Sequence, residues 1–252
     1  SFSIDENARK SFGPFTPGFI TGPYGDAQAI EDAITPNTAA VMVEPIQGEA
    51  GVVVPPAGYL RILRRICDQH NVLLIADEIQ TGLGRTGRMF ASQHEGIHPD
   101  MIIIGKALGG GLYPVSAVLA DPDIMGLFVP GEHGSTFGGN PLGMAVARAA
   151  LRVIVEEHLI ENSAHLGEYL MEQLCEIPSP HVKEVRGKGL LIGVELKPSA
   201  GGARRFCEKL AEQGILAKET HQHVIRFAPP LVIDKATLDW AIPRICEVLN
   251  IP

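Results

Sequence analysis

Apolar residues recur along this chain in two patterns: short unbroken runs, and stripes spaced three and four apart. The runs Ala39-Ala40-Val41-Met42-Val43, Val72-Leu73-Leu74-Ile75-Ala76 and Met101-Ile102-Ile103-Ile104-Gly105, with residues 115–120, predict strands. Runs this apolar, bounded by glycine or by acids, read as strands buried on both faces, as in a parallel sheet. Between them the stripe Leu60, Leu63, Ile66 and Cys67 predicts an amphipathic helix over Tyr59–His70, and another helix covers Asp26 to Ile34. Residues 1–25, rich in Gly, Pro and Phe, read as loop. Strands alternating with helices predict an α/β fold.

The pattern changes after residue 130. Pro130 to Pro141 holds six Gly or Pro residues and reads as a functional loop or a disordered one. From Leu142 to about His158 the period turns helical, through Met144, Val146, Ala147, Ala150, Leu151 and Ile154. A helix near 162–176, strands near 182–186 and 189–196, a helix at 202–213 and strands at 215–218 and 223–228 follow, then a last helix N-capped by Asp234. That order predicts a smaller α+β domain. The expected division is 1–145 for the unit with the parallel sheet and 146–252 for the connecting helix and the smaller unit.

Composition narrows the classes. The 252 residues carry a net charge of −8, which argues against nucleic acid and against an anionic membrane surface as partners. No apolar stretch reaches the roughly 18 residues of a spanning helix. The first ten residues are polar and hold no apolar signal core, so a cytoplasmic location is expected. Cys67, Cys175, Cys207 and Cys246 are scattered without a C-x-x-C pair, which favours reduced thiols over zinc or a disulfide framework. The chain lacks an initiator Met, and its first forty residues lack a full strand–helix–strand unit; it is expected to begin partway into a larger protein.

Candidate chemistry centres on Lys106, which ends the run at 101–105 and precedes Ala107-Leu108-Gly109-Gly110-Gly111. Burial disfavours an ammonium and lowers its pKa, which makes an amine able to attack a carbonyl. Asp77 ends the run at 72–76, and 106 − 77 = 29 positions suits one strand, a crossover and the next strand. Parallel neighbours deliver both groups to the carboxyl edge of the sheet, where ligands bind in open α/β folds. An amine that holds an aldehyde as a Schiff base, beside an acid that pairs with a ring nitrogen, matches the needs of pyridoxal phosphate. The alternatives are a strand-end lysine reaching to water, and a nucleotide-hydrolysing strand at 73–78, which would need a G-x-x-x-x-G-K-[ST] loop that this sequence lacks.

Other motifs are less decisive alone. Gly82-Leu83-Gly84-Arg85-Thr86-Gly87 matches G-x-G-x-x-G but opens no βαβ helix, and it reads as a loop whose backbone passes close to a ligand or subunit. Glu44 and Glu49, in a loop after a strand end, are either solvated or part of a site that handles an amine. His133 to Asn140 offers hydroxyls and free backbone N–H groups that suit a phosphate. Arg226, within an apolar strand, is either a surface-facing alternation residue or a carboxylate clamp.

Six stretches together carry a resemblance: VEPIQGEAGVVVP (43–55), LLIADEIQTGLGRTG (73–87), IIIGKALGGGLYPVSAVL (102–119), GEHGSTFGGNPLG (131–143), VRGKGLL (185–191) and VIRFAPPLVI (224–233). They resemble the class III pyridoxal-phosphate aminotransferases from about Phe12 to Leu249, and the wording at 112–119 and 131–143 leans toward members acting on ornithine. The resemblance implies fold type I, with part of the mostly parallel sheet of a large domain and a smaller C-terminal α+β domain. It implies transfer of the δ-amino group of ornithine to 2-oxoglutarate, giving glutamate semialdehyde and glutamate. Another ω-aminotransferase, acting on N-acetylornithine or 4-aminobutyrate, and a truncated non-catalytic chain of the same fold are the alternatives.

By position in those motifs, Lys106 would be the Schiff-base lysine and then a general acid–base, and Asp77 would pair with the protonated ring nitrogen. Ile79 would pack on the ring face and Gln80 would bond the ring hydroxyl. Ser135 and Thr136 would bind the cofactor phosphate of a neighbouring subunit, which implies a homodimer with shared sites. Arg226 would take the α-carboxylate of glutamate or 2-oxoglutarate, and Glu49 would cover Arg226 while ornithine is bound. The family's N-terminal segment, with its phosphate loop, ring-stacking aromatic and further substrate arginine, has no counterpart in these residues. The chain alone is therefore expected to bind cofactor weakly and turn over little ornithine. A eukaryotic source would place it in the mitochondrial matrix.

Overall fold

The structure is a computed structural model that describes residues 9–251. It opens with helix α1 (Ala27–Ala33), capped by the Asp26 carboxylate on the Ala29 N–H, and strand β1 (Ala40–Val43). Helix α2 (Tyr59–His70) buries Tyr59, Leu60, Leu63, Ile66 and Cys67, the expected stripe plus one aromatic. Its N-terminus is capped from a distance: Glu95 accepts the Gly58 and Arg61 N–H groups at 2.9 and 3.0 Å. Asp100 ties the helix to the sheet, taking Arg64 and the Leu74 N–H, each at 2.6 Å. Such charge-assisted bonds fix the angle of α2 on the sheet.

Strands β2 (Leu73–Asp77), β3 (Met101–Ile104) and β4 (Ala117–Ala120) complete a sheet of order β1-β2-β3-β4. The first three are parallel, and β4 runs antiparallel on β3. Burial on both faces, expected from the apolar runs, is not what these strands have: Leu74 and Ala76 are buried while Leu73 and Ile75 are only half-buried, and in β3 Ile104 alone is fully buried. Lys106 does not continue β3. It opens a 3-10 turn (Lys106–Gly109) with φ of 44°, a left-handed conformation held by the turn.

A short helix α3 (Pro122–Met125) leads into the irregular segment 126–140, which holds no helix or strand and is largely exposed. Asn140 then caps α4 (Pro141–Glu156), with Pro141 at the first helical position. The expected connecting helix stops at Glu157, because His158 turns left-handed at φ 54°, and α5 (Leu159–Cys175) starts three residues earlier than the sequence pattern indicated.

The second sheet is antiparallel, of order β5-β6-β8-β7: β5 (Val182–Lys188), β6 (Leu191–Leu196), β7 (Lys218–Thr220) and β8 (Val224–Phe227). Helix α6 (Arg204–Glu212) precedes β7, and α7 (Lys235–Val248) closes the chain with Asp234 bonded to the Thr237 N–H. The strand expected at 215–218 is displaced to 218–220, since the Ile215 N–H still bonds Leu210 O and Gly214 turns at φ 82° to end α6.

The second sheet packs on α5, α6 and α7 around Phe206, Leu210, Ile192 and Ile225, all fully buried. A different cluster joins the two sheets: Leu83, Ile104 and Leu108 meet Ala147, Ile154, Leu159, Leu190 and Leu231. The glycine loop at 82–87 runs through this junction rather than opening a helix. A Cβ on Gly189 would sit 2.4 Å from the carbonyl carbon of Thr86, so the turn after β5 and the loop approach closer than any side chain allows. Among the described residues no helix is long and apolar enough to cross a membrane.

Candidate active site

Three parallel strands pointing one way set three polar groups on one edge. Glu44 follows the last residue of β1, Asp77 ends β2 opposite Ile103, and Lys106 comes two residues after β3. The expected placement of Asp77 and Lys106 together at the carboxyl edge is what the parallel topology produces. Asp77 Oδ1 accepts the Ile79 N–H at 3.1 Å, and no hydrogen bond among the described residues engages Oδ2, which leaves one carboxylate oxygen for a ligand donor. Ile79 lies over Gly105, with its Cγ2 methyl and Cγ1 methylene 3.5 and 3.6 Å from where a Cβ would be.

Lys106 is open to solvent, and no hydrogen bond or ion pair among the described residues holds its Nζ. Desolvation by the surrounding protein pushes its pKa down; Arg226 pushes the same way, while Glu49, Glu44 and Asp77 oppose. Burial raises the Glu44 carboxyl pKa, against the Gly48 N–H that bonds it at 3.2 Å. An unengaged amine of lowered basicity, within electrostatic reach of three carboxylates, is chemically suited to condense with an aldehyde and to move protons.

Beside this edge lies a second constellation. Glu49, in the loop after β1, bonds Arg226 through Oε1 at 2.8 Å and Lys218 through Oε2 at 2.9 Å. Gln80 bridges the pair, donating to Glu49 at 3.0 Å and accepting from Arg226 at 3.2 Å. The Arg226 hydrogen bond, with Lys218 and Gln80 assisting, lowers the Glu49 pKa to about 2. The Arg226 side chain is 14% exposed and turned toward Glu49, so of its two sequence readings the carboxylate clamp is the one the geometry favours.

The backbone that presents Glu49 is pinned to the second sheet. Arg186, on β5, donates to Gly51 O at 2.7 Å and Val52 O at 3.0 Å while its guanidinium also pairs with Glu184 and Glu195. Val52 is fully buried with φ of 50°, strained for a β-branched residue, and it fits because Gly193 beneath it has no side chain. Arg186, Gly193, Arg226 and Lys218 are successive register partners across β5, β6, β8 and β7. Direct cross-strand partners share one face, so the four form a row under the Glu49 loop.

Sequence reasoning missed Lys218, Arg186 and Gly193, since only cross-strand register, which no local pattern encodes, aligns them. It missed Arg85 as well. That guanidinium is deeply buried, donates to Leu190 O and Pro229 O, and has its pKa lowered to about 10 by burial and by Arg226. Ser135 and Thr136 stand apart: both are exposed, Ser135 Oγ accepts the Gly138 N–H at 3.1 Å, and no hydrogen bond among the described residues links them to Lys106, Asp77 or Arg226. A cavity of about 600 Å³ lies elsewhere, lined by Thr86, His94, His165, Glu168 and Lys188, and none of the expected site residues lines it.

Comparison with known proteins gives the setting. The family described as aminotransferase class-III matches residues 1–249. The chain is 59% identical to an ornithine aminotransferase of Brevibacillus brevis over 251 residues, all of this chain and 62% of that protein. An ornithine aminotransferase structure from Toxoplasma gondii, crystallized with oxidized glutathione and with partial occupancy of PLP at its active site, superposes with a TM-score of 0.96 at 47% identity, covering 99% of this chain and 59% of that one. An acetylornithine aminotransferase structure from Elizabethkingia anophelis gives 0.88 at 47% identity, covering 93% and 63%. The chain spans about three fifths of the length of these relatives. Likeness this close establishes the expected fold type I architecture, and the match across nearly every residue places the chain in the class III aminotransferase family.

Proposed function

We propose that this chain carries the lysine-bearing part of an aminotransferase site that moves the δ-amino group of ornithine to 2-oxoglutarate with pyridoxal phosphate, giving glutamate semialdehyde and glutamate. The observation that carries this reading is the unengaged Lys106 amine on the same sheet edge as Asp77, with the Glu49–Arg226 pair beside it. Its relatives named as ornithine aminotransferases support the donor.

The residues fit the cofactor. Pyridoxal phosphate, when bound, supplies an aldehyde that takes up amines and a cationic ring that accepts an electron pair. Asp77 has a carboxylate oxygen to offer the ring N–H, and Ile79 has an apolar face to offer the ring. Gln80 keeps a second amide hydrogen for the ring hydroxyl. Lys106 would hold the cofactor, and its freed amine would carry the proton from the substrate carbon that bears the amine to the cofactor carbon, a general acid–base role. Arg226 binds the α-carboxylate of the dicarboxylate substrate through its guanidinium fork. Glu49 neutralises Arg226 while the cationic donor is present, so one pocket accepts substrates of opposite charge in turn.

In this reading residues 1–145 belong to the cofactor-binding domain and 146–252 to the connecting helix and small domain. The protein works as a homodimer in which Ser135 and Thr136 reach the neighbouring subunit's cofactor phosphate. The exposed apolar side chains Leu127, Phe128, Val129 and Phe137 around that loop support a covered surface there. The 47% identity to an acetylornithine aminotransferase favours a second reading, an enzyme for the acetylated donor.

Borohydride reduction of the cofactor-loaded protein followed by peptide mass mapping tests the site: the reduced cofactor is expected on Lys106. A label elsewhere, or none, overturns the reading. Donor profiling with ornithine, N-acetylornithine and 4-aminobutyrate tests the substrate, and a preference for either of the latter two replaces ornithine.

A further inference from the structure

We propose that Lys218 is the residue to which Glu49 is handed when Arg226 takes a substrate carboxylate, so that Lys218 sets how readily the site changes from diamine to dicarboxylate. The inference rests on the proposed role of the Glu49–Arg226 pair and names a further residue for it.

The geometry divides one carboxylate between two cations. Lys218 and Arg226 are direct partners across β7 and β8 and so project from the same face. Glu49 gives Oε1 to Arg226 at 2.8 Å and Oε2 to Lys218 at 2.9 Å. The two cations differ in surroundings: the Arg226 side chain is 14% exposed and that of Lys218 is 59% exposed. On that shared face Arg226 thus occupies the covered part and Lys218, on the edge strand, the open margin. A carboxylate that leaves Arg226 without a second cation gives up its ion pair and gains only water. A carboxylate already bonded to Lys218 keeps one charged partner throughout and moves outward by rotating about that contact. The rest of the loop need not move, because Arg186 holds the Gly51 and Val52 carbonyls and Val52 stays seated over Gly193. The row beneath the loop therefore has a fixed end at Arg186 and an exchangeable end at Arg226 and Lys218.

Lys218 acts through Glu49 and does not itself grip substrate, which separates it from a second carboxylate-binding cation. The test uses the cofactor-loaded protein with Lys218→Gln, Lys218→Arg, Glu49→Gln and the Lys218→Gln/Glu49→Gln pair. Calorimetric titration with glutarate, a dicarboxylate that cannot react, measures the change without turnover, and KM values for 2-oxoglutarate and ornithine measure it during turnover. Lys218→Gln is expected to weaken glutarate about five-fold, the upper range for an exposed ion pair, and to raise KM for 2-oxoglutarate relative to that for ornithine by a similar factor. Lys218→Arg restores both, and Lys218→Gln has no further effect once Glu49 is Gln. Unchanged glutarate binding in Lys218→Gln overturns the proposal, as does a full effect that persists in the Glu49→Gln background, where Lys218 would be gripping the ligand directly. If Glu49→Gln alone alters neither glutarate binding nor ornithine KM, the Glu49–Arg226 reading itself falls and takes the handover with it.

Discussion

Gly193 and Val52 meet where the loop after β1 crosses the second sheet: a Cβ on Gly193 would lie 2.9 Å from Val52 Cβ. Gly193 is also the register partner of Arg226. The side chain missing from one strand thus creates the seat from which Glu49, three residues before Val52, reaches the guanidinium on the next.

Gly193→Ala is expected to lift that loop. Inserting a methyl into a filled contact costs about 1–3 kcal/mol. Chemical denaturation should show a lowered midpoint, and binding of glutarate should tighten relative to the parent because Glu49 is displaced from Arg226. A midpoint and an affinity both equal to the parent's would show that the contact yields freely.

The Glu49 carboxylate should titrate far below an ordinary glutamate. Its folded pKa, lowered to about 2 chiefly by the Arg226 hydrogen bond, lies under the unfolded value, so the stability it contributes is complete above the unfolded pKa and is lost as pH falls through about 2. Carbon NMR of the labelled side chain should give a midpoint near that value, and Arg226→Met should move it up. A midpoint in the usual glutamate range would mean the pair does not persist in solution.

Phe206 is fully buried at the centre of the second core, stacked edge-on with His181 at 5.5 Å between ring centroids. Phe206→Ala should cost about 3–5 kcal/mol, the usual range for an emptied aromatic site. Urea unfolding is the measurement, and a loss below 1 kcal/mol would show that α6 collapses into the space at little cost, against about 3 kcal/mol expected at least.

The cysteines should separate by burial. Cys67 and Cys207 are buried, and desolvation raises each thiol pKa to about 11, while Cys175 is exposed. Brief iodoacetamide treatment of the native protein at neutral pH should label Cys175 and spare the other two, since the thiolate is the reactive form. Early labelling of Cys67 on peptide mapping would contradict the packing of α2.

The site was legible in the sequence to the extent that it depends on strand ends. Asp77 and Lys106 each close an apolar run, and because parallel neighbours point the same way, run boundaries and spacing alone bring them to one edge. The stripe of α2, the cap at Asp234 and the order of elements after α4 could be read for the same reason: helical period and capping chemistry act over a few residues. The exposure of the strands could not be read that way, since the apolar runs of β2 and β3 do not reveal how much of each face is covered.

What the sequence by itself determined is therefore the local grammar, namely which segments are strands and helices, where their polar ends fall, and which family's motifs they spell. Tertiary structure alone decided the row of Arg186, Gly193, Arg226 and Lys218 and the seating of Glu49 on it. The physical reason is that antiparallel register in this row joins residues up to 33 positions apart by backbone hydrogen bonds whose pairing no single strand encodes (226 − 193 = 33). The closing of α6 shows how fine that decision is: the turn at 213–214, closed by the Ile215 N–H on Leu210 O, and the irregular residues 215–217 delay the strand until Lys218, and that delay sets Lys218 opposite Arg226.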